Sequence, residues 1–182
     1  PPPNDPLVEA RVRQLSALRP SIKPGTQWQY SGFDGFDILA RIIEVTSHES
    51  YPAFMQRRIF APLGMRDTTF TPTDEQRARL ASLYGSESGQ IRKAQPTLVM
   101  PAYPAGGAGL YSTCPDMLRF AQMLANDGRL GTTRILSEAA VVQMRTPQLA
   151  TNFSGLDPGL AWGLGMRIVG DPVALHSSLN RG

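Results

Sequence analysis

Residues Pro24 to Phe70 form the most informative segment of the chain and read PGTQWQYSGFDGFDILARIIEVTSHESYPAFMQRRIFAPLGMRDTTF. It opens on a Pro-Gly turn, and Tyr30 stands directly before Ser31, where a long amphipathic pattern begins. A side chain placed between a turn and the start of a helix can project into a cleft. Tyr30 is therefore the first candidate functional residue of the chain.

The amphipathic pattern predicts a helix that Ser31 or Asp34 can cap. We expect Arg41 and Glu44 to point away from its apolar face. That face is predicted to consist of Phe36, Leu39, Ile42 and Ile43. The run from His48 to Ser50 should end the helix.

Local signals outside this helix predict a mostly helical chain with few strands. The predicted elements are helices over about 8–18 and 52–60, a hairpin over 80–93, a loop over 101–110, helices capped by residues 113 and 137, and a strand over 161–169. Thr113 and Ser137 are good N-caps. The helix that Thr113 begins should end at Asp127-Gly128, and the helix that Ser137 begins should end before Pro147.

Length and composition indicate one ordinary globular domain. The chain has 182 residues, of which 41% are hydrophobic and 18% charged. No apolar run approaches the ~20 residues of a membrane span, and no signal peptide opens the chain. The net charge of +3 is small and scattered, so a nucleic-acid partner is not expected.

Metal and cofactor sites are not expected either. Cys114 is the sole cysteine, which excludes an internal disulfide, and the two histidines, His48 and His176, lie far apart in sequence. The run from Gly106 to Gly109 could cradle a phosphate, but no Lys-Ser or Lys-Thr follows it. A close-packed turn at the edge of a cleft is the better interpretation of these glycines.

Three blocks, in order along the chain, resemble the serine β-lactamase-like hydrolases, which include class C β-lactamases, DD-peptidases and related esterases. The blocks are Pro24-Gly25-x-x-Trp28-x-Tyr30-Ser31 with Ile59-Phe60-x-Pro62-Leu63-Gly64-Met65-x-Asp67-Thr68-x-Phe70, then Gly106-Gly107-x-Gly109-Leu110-x-Ser112-Thr113-x-x-Asp116-Met117-x-x-Phe120, then Trp162-Gly163-Leu164-Gly165. The resemblance implies an α+β serine β-lactamase/DD-peptidase-like fold. This chain would hold mostly its helical lobe and a few edge strands of its α/β lobe.

The resemblance also implies a chemistry of acyl transfer to serine. In this family a Ser-x-x-Lys pair supplies the nucleophile and its base, and a tyrosine shuttles the proton. By resemblance Tyr30 is that tyrosine, and Gly106 and Gly107 belong to the loop that borders the substrate pocket. Gly32, a further substrate-binding position, stands where the family usually has an asparagine. That departure favours an esterase-like relative over a β-lactamase.

The nucleophile pair is absent from this sequence. Its two lysines are Lys23 and Lys93, and the residues three positions before them are Pro20 and Gln90. Neither lysine begins a Lys-Thr-Gly motif, the third motif of the family. The chain alone is therefore predicted to be inactive.

The third motif has two interpretations. His176-Ser177-Ser178 resembles a His-x-Gly element that has lost its glycine, which would make His176 catalytic. Alternatively, the motif follows Gly182, and His176 is an ordinary loop histidine. The second interpretation is favoured.

The sequence therefore predicts a single partial domain over residues 1–182, without the nucleophile segment and the C-terminal strands. The complete enzyme, of a bacterial type, would act on an ester, peptide or β-lactam, without a cofactor. Export to the periplasm or outside the cell is an expectation from the family only. Two alternatives stay open, a non-catalytic binding protein and one half of a split enzyme. Self-association or a complementing chain is expected as well.

Overall fold

The computed structural model describes residues 6–32, 34–93, 103–149, 158–171 and 173. They fall into two compact units. The first comprises the described residues within 1–17 and 31–119, and the second those within 18–30 and 120–182. Helices predominate, and the strands pair as three two-stranded antiparallel ladders. This is the α+β composition that the sequence predicts.

The helices lie close to the predicted positions, except for a short helix over 74–78 that was not predicted. They are α1 (Pro6–Ser16), α2 (Asp34–Ser47), α3 (Tyr51–Met55), α4 (Ala61–Leu63), α5 (Asp74–Ala78), α6 (Cys114–Ala125) and α7 (Glu138–Arg145). A π-helical turn, Gln56–Phe60, joins α3 to α4 without a break. Pro62 lacks an N–H and cannot continue regular α-helical bonding, which accounts for the wider turn just before it. Gly64, at φ +68°, then ends the helix.

The core of the first unit forms where α1, α2 and α3 meet. Val8, Ala40 and Tyr51 are buried there. The ring of Tyr51 packs against that of Phe70, with centroids 5.2 Å apart. The other partly buried side chains packed on this core are Ile43, Met55 and Tyr103. A segment far along the chain thus closes a core that is otherwise built from local helices.

The predicted hairpin is confirmed. Strand β1 (Tyr84–Glu87) pairs with β2 (Gln90–Lys93) in antiparallel register. The two turn residues, Ser88 and Gly89, both have positive φ. Such a turn matches the natural twist of a two-residue hairpin.

The two predicted N-caps are also confirmed. Thr113 Oγ1 accepts a bond from Asp116 N at 3.4 Å, and Ser137 Oγ accepts one from Ala140 N at 3.1 Å. Asp127 and Gly128 both have positive φ and end α6, as predicted. They lead into a short ladder of β3 (Arg129–Leu130) and β4 (Thr133–Arg134).

The single strand predicted over 161–169 is wrong. The structure has two strands there, β5 (Leu160–Trp162) and β6 (Arg167–Val169), paired as a hairpin. Gly163 N donates to Met166 O at 2.8 Å, and Gly165 has φ +73°. Glycine adopts this left-handed conformation at low cost, so the chain reverses where the alternating pattern suggested that it continues.

Helix α2 differs from its prediction in which face is covered. Leu39 and Ile42 are about half exposed, whereas Glu44 is fully buried instead of pointing away. Glu44 Oε1 accepts a hydrogen bond from Tyr51 N at 3.0 Å, and its Oε2 lies 3.2 Å from Arg41 Nη1. These partners offset the cost of burying a carboxylate, and no local sequence pattern reveals them.

Candidate functional site

Tyr30 belongs to an aromatic cluster in the second unit. Its ring centroid lies 6.4 Å from that of Trp28 and 5.7 Å from that of Trp162, and the two indoles stack at 5.4 Å. Offset and tilted rings at such distances attract one another. Tyr30 nevertheless stays 55% exposed. The cluster therefore fixes the flank of the phenol while leaving much of the side chain accessible.

Strand β5 carries Trp162 into this cluster and is itself anchored. Trp162 O accepts a hydrogen bond from Gln148 N at 2.8 Å. A Cβ built on the next residue, Gly163, would lie 1.8 Å from Met144 O, so only glycine fits against the end of α7. Trp162 Nε1 is buried and has no hydrogen-bond partner in the described part of the chain.

Gly32 lies in the first unit, just before α2. It has φ +62°, and no described atom lies within 4 Å of a Cβ built on it. Ser31 Oγ accepts a hydrogen bond from Gly35 N at 3.2 Å, which confirms that Ser31 helps to begin the helix. The left-handed backbone and the open space would both accept an asparagine, the residue expected here from the resemblance.

The glycine-rich loop, defined here as residues 103–110, contacts the first turn of α2. A Cβ built on Gly106 would lie 2.0 Å from Phe36 O, so loop and helix backbones touch at a point that only glycine permits. Gly106 N donates to Asp37 Oδ1 at 2.9 Å. Gly107 occupies the same turn and is exposed.

Asp37 is the buried carboxylate that holds this loop. Its side chain is 0% exposed, and Tyr103 OH donates to its Oδ2 at 2.6 Å. Arg11 Nε lies 3.8 Å from the same oxygen and supplies an opposite charge. Burial, and then the bond to Asp37, raise the pKa of Tyr103 to about 12. Asp37 is thus held by two hydrogen bonds and one ion pair.

Sequence reasoning did not single out Asp37, Tyr103, Trp28 or Trp162 as site-forming residues. One signal was present, because Asp37 interrupts an apolar run between Phe36 and Ile38. A carboxylate at such a position needs a partner, but its partners come from 66 and 69 residues further along the chain. Local patterns cannot identify contacts of that range.

The candidate residues divide between the two units. Gly32, Gly106 and Gly107 belong to the first, where the beginning of α2 positions them, and Tyr30 belongs to the second. His176 lies outside the described residues, so its role stays a prediction. Lys23 and Lys93 are both exposed.

Two further features concern the described residues only. None of the helices there is both long and apolar enough to cross a membrane. No group of three or more His, Cys, Asp or Glu side chains in that part of the chain is placed to hold a metal ion.

Comparison with known proteins gives one family. The family model described as "Beta-lactamase" matches residues 1–179. The D-alanyl-D-alanine-carboxypeptidase/endopeptidase AmpH of Escherichia coli is 32% identical over 163 residues, covering 88% of this chain and 40% of that protein. Esterase EstB of Burkholderia gladioli is 27% identical over 194 residues, covering 96% of this chain and 47% of EstB. The chain spans less than half the length of these relatives.

Solved structures agree on the fold. EstCE1, a hydrolase with promiscuous acyltransferase activity, superimposes with a TM-score of 0.80 at 24% identity, over 96% of this chain and 49% of its own. A penicillin-binding protein from Bacillus halodurans gives a TM-score of 0.72 at 19% identity, over 92% of this chain and 48% of its own. With its three motif blocks and its family-model match, this chain belongs to the β-lactamase family and has the serine β-lactamase/penicillin-binding-protein fold.

Proposed function

We propose that this chain is part of a serine hydrolase that cleaves an ester, amide or β-lactam through an acyl-enzyme. A serine hydroxyl would attack the substrate carbonyl and lose its proton, the alcohol or amine would leave with a proton, and water would release the acyl group. Tyr30 would carry the proton between these groups. Gly32, Gly106 and Gly107 would line the substrate pocket.

The observation that carries the proposal is how Tyr30 is presented. Two indoles hold the flank of its ring, yet 55% of the residue stays exposed. A proton-transfer group needs both properties, because its position must be fixed while its hydroxyl can approach a substrate.

The proposed nucleophile would come from outside these 182 residues, since neither lysine belongs to the Ser-x-x-Lys pair that the family resemblance implies. We propose that residues 1–182 form part of one domain and that further polypeptide completes it. The exposed face of α2 supports this, because four of its aliphatic side chains are 42–56% exposed; they are Ile38, Leu39, Ile42 and Val45. In a complete domain, a helix face with this many exposed aliphatic side chains normally packs against other polypeptide.

Esters are the favoured substrates within this class. Gly32 supplies no side-chain amide to contact the amide group of a peptide or β-lactam. The described relatives include both an esterase and a carboxypeptidase, so the family accommodates either substrate.

A non-catalytic binding protein is the alternative that a specific observation favours. The chain lacks the nucleophile pair but keeps the aromatic cluster around Tyr30, which could bind a ligand without turnover. A split enzyme, completed by a second polypeptide, would share every feature described here with the single-chain enzyme.

The test uses the complete protein that contains this chain and a 4-nitrophenyl ester. We expect turnover by the complete protein, none by residues 1–182 alone, and a fall in kcat of about 100-fold or more for Tyr30→Phe. Tyr84→Phe is the matched control, because Tyr84 is 64% exposed on the β1–β2 hairpin. An unchanged rate in Tyr30→Phe would remove Tyr30 from the mechanism, and an inactive complete protein would favour the binding protein.

A further inference from the structure

The buried carboxylate of Asp37 has a role beyond packing. A carboxylate that is removed from water costs free energy unless its oxygens are paired. Here both oxygens are used, one for Gly106 N at 2.9 Å and one for Tyr103 OH at 2.6 Å. Both donors belong to the glycine-rich loop, so one side chain of α2 holds two points of it.

The contact between loop and helix leaves little room for adjustment. The Gly106 backbone passes so close to α2 that a Cβ would lie 2.0 Å from Phe36 O and 3.1 Å from Asp37 N. Ala105, the preceding residue, is 2% exposed. The loop is therefore pressed onto the helix backbone at the point where Asp37 binds it.

The charge of Asp37 is also balanced within the first unit. Arg11 of α1 lies 3.8 Å from Asp37 Oδ2, and its main partner is Asp34, at 2.6 Å. Asp34 sits on the same helix turn but is about half exposed, and its hydrogen-bonded partner is Arg11 of α1. The two aspartates thus share a cation and differ in whether they hold the loop.

We propose that Asp37, together with Tyr103, is a positioning element that fixes the glycine-rich loop and thereby sets which acyl group the enzyme accepts. The selectivity half of this inference rests on the proposed hydrolase function. Asp37 touches no substrate in this account. It acts through the Gly106 backbone, whose placement fixes one edge of the acyl pocket.

The experiment has two arms, both on the complete protein. The first measures amide hydrogen exchange of residues 103–110 and needs no turnover. Asp37→Ala should speed exchange at Gly106 by about tenfold or more, since its acceptor is lost. Tyr103→Phe and Asp37→Asn keep an acceptor for Gly106 N, so they should give smaller increases in its exchange rate. These two variants replace Asp37→Ala in the experiment if that variant does not fold. Asp34→Ala is the matched control and should leave this exchange unchanged.

The second arm measures kcat/KM for 4-nitrophenyl esters of increasing acyl length. Asp37→Ala and Tyr103→Phe should shift the ratio between long and short acyl chains by about fivefold or more, whereas Asp34→Ala should not. Unchanged exchange in the Asp37 variants would overturn the positioning role. Faster exchange with an unchanged ratio would overturn the link to selectivity. A wild type without ester turnover would overturn the hydrolase proposal and that link, while the exchange arm still decides whether Asp37 holds the loop.

Discussion

Helix α2 has two unlike faces. The polar face, with Asp37 and Glu44, is buried together with Ala40, whereas the apolar face, with Ile38, Leu39, Ile42 and Val45, is about half exposed. Asp37 and Glu44, both ionisable, are 0% exposed, while Ile38 and Ile42 are 42% and 50% exposed. The buried carboxylates each have hydrogen-bond donors within the first unit. The aliphatic side chains have no comparable cover in the described residues.

The difference between the two faces distinguishes buried side chains that have partners within the first unit from aliphatic side chains that lack cover in the described residues. On the polar face, Asp37 accepts hydrogen bonds from groups as distant along the chain as Tyr103 OH and Gly106 N. The apolar face is what we expect of a helix that packs against further polypeptide. This agrees with the chain spanning less than half of its relatives.

Glu44→Ala should produce the largest effect on the polar face. It removes the acceptor of Tyr51 N, at the start of α3, and one partner of Arg41. We expect the free energy of unfolding to fall by about 3 kcal/mol, measured by urea denaturation, because a buried donor loses its acceptor and Arg41 keeps only its pairing with Glu9. Glu49→Ala breaks an exposed pair with Arg57 and should change stability little. An equal loss of stability in Glu44→Ala and Glu49→Ala would contradict the larger contribution expected of the buried carboxylate.

Ile42→Glu tests the apolar face. The isolated chain should self-associate through its exposed aliphatic side chains, and a charge at their centre should weaken association by about tenfold in sedimentation experiments. Ile91→Glu is the matched control, since Ile91 is 79% exposed and belongs to strand β2 rather than to α2. A monomeric wild-type chain, or equal effects of both substitutions, would contradict the interpretation of this face.

How much of this could be predicted depends on the range of the contacts. Thr113, Ser137 and Ser88-Gly89 act through residues within a few positions, and the sequence predicted the elements that they begin or turn. The faces of α2 could not be assigned in this way, because periodicity shows that two faces exist but not what covers each. Burial of Asp37 requires donors 66 and 69 residues away. The motif blocks indicated the family and made Tyr30 a candidate residue, while the aromatic cluster around Tyr30 required the structure.

The hydroxyl of Tyr103 gives a pH-dependent test of the Asp37 contact. Its pKa is raised from 10.0 to about 12, first by burial and then by Asp37. The unfolded chain therefore loses this proton at lower pH than the folded one, so this contribution to stability is complete below pH 10 and disappears as pH rises towards 12. Urea denaturation across this interval should show a shallower decline for Tyr103→Phe than for wild type. The stability of Tyr84→Phe, which changes an exposed tyrosine, should decline with pH as that of wild type does. Parallel declines in all three proteins would contradict the assignment of this pH dependence to Tyr103.

Gly32→Asn should have the smallest effect on folding. Asparagine tolerates φ +62°, and the space around Gly32 is open, so we expect a cost of about 1 kcal/mol or less. The added amide should raise activity on a chromogenic cephalosporin relative to a 4-nitrophenyl ester. Gly25→Asn, at φ +77° and also in open space, controls for the backbone cost. An unchanged substrate ratio would show that residue 32 does not select between these substrates.

Locating the activated serine tests whether this chain is part of a serine hydrolase whose nucleophile lies outside residues 1–182. The complete protein is treated with a fluorophosphonate, which forms a covalent bond with such a serine, and the adduct is mapped by peptide mass spectrometry. We predict a single labelled serine outside residues 1–182, within a Ser-x-x-Lys sequence, and slower labelling in Tyr30→Phe. A label on a serine within these 182 residues would place the nucleophile in this chain, and no label at all would rule out the serine-hydrolase proposal.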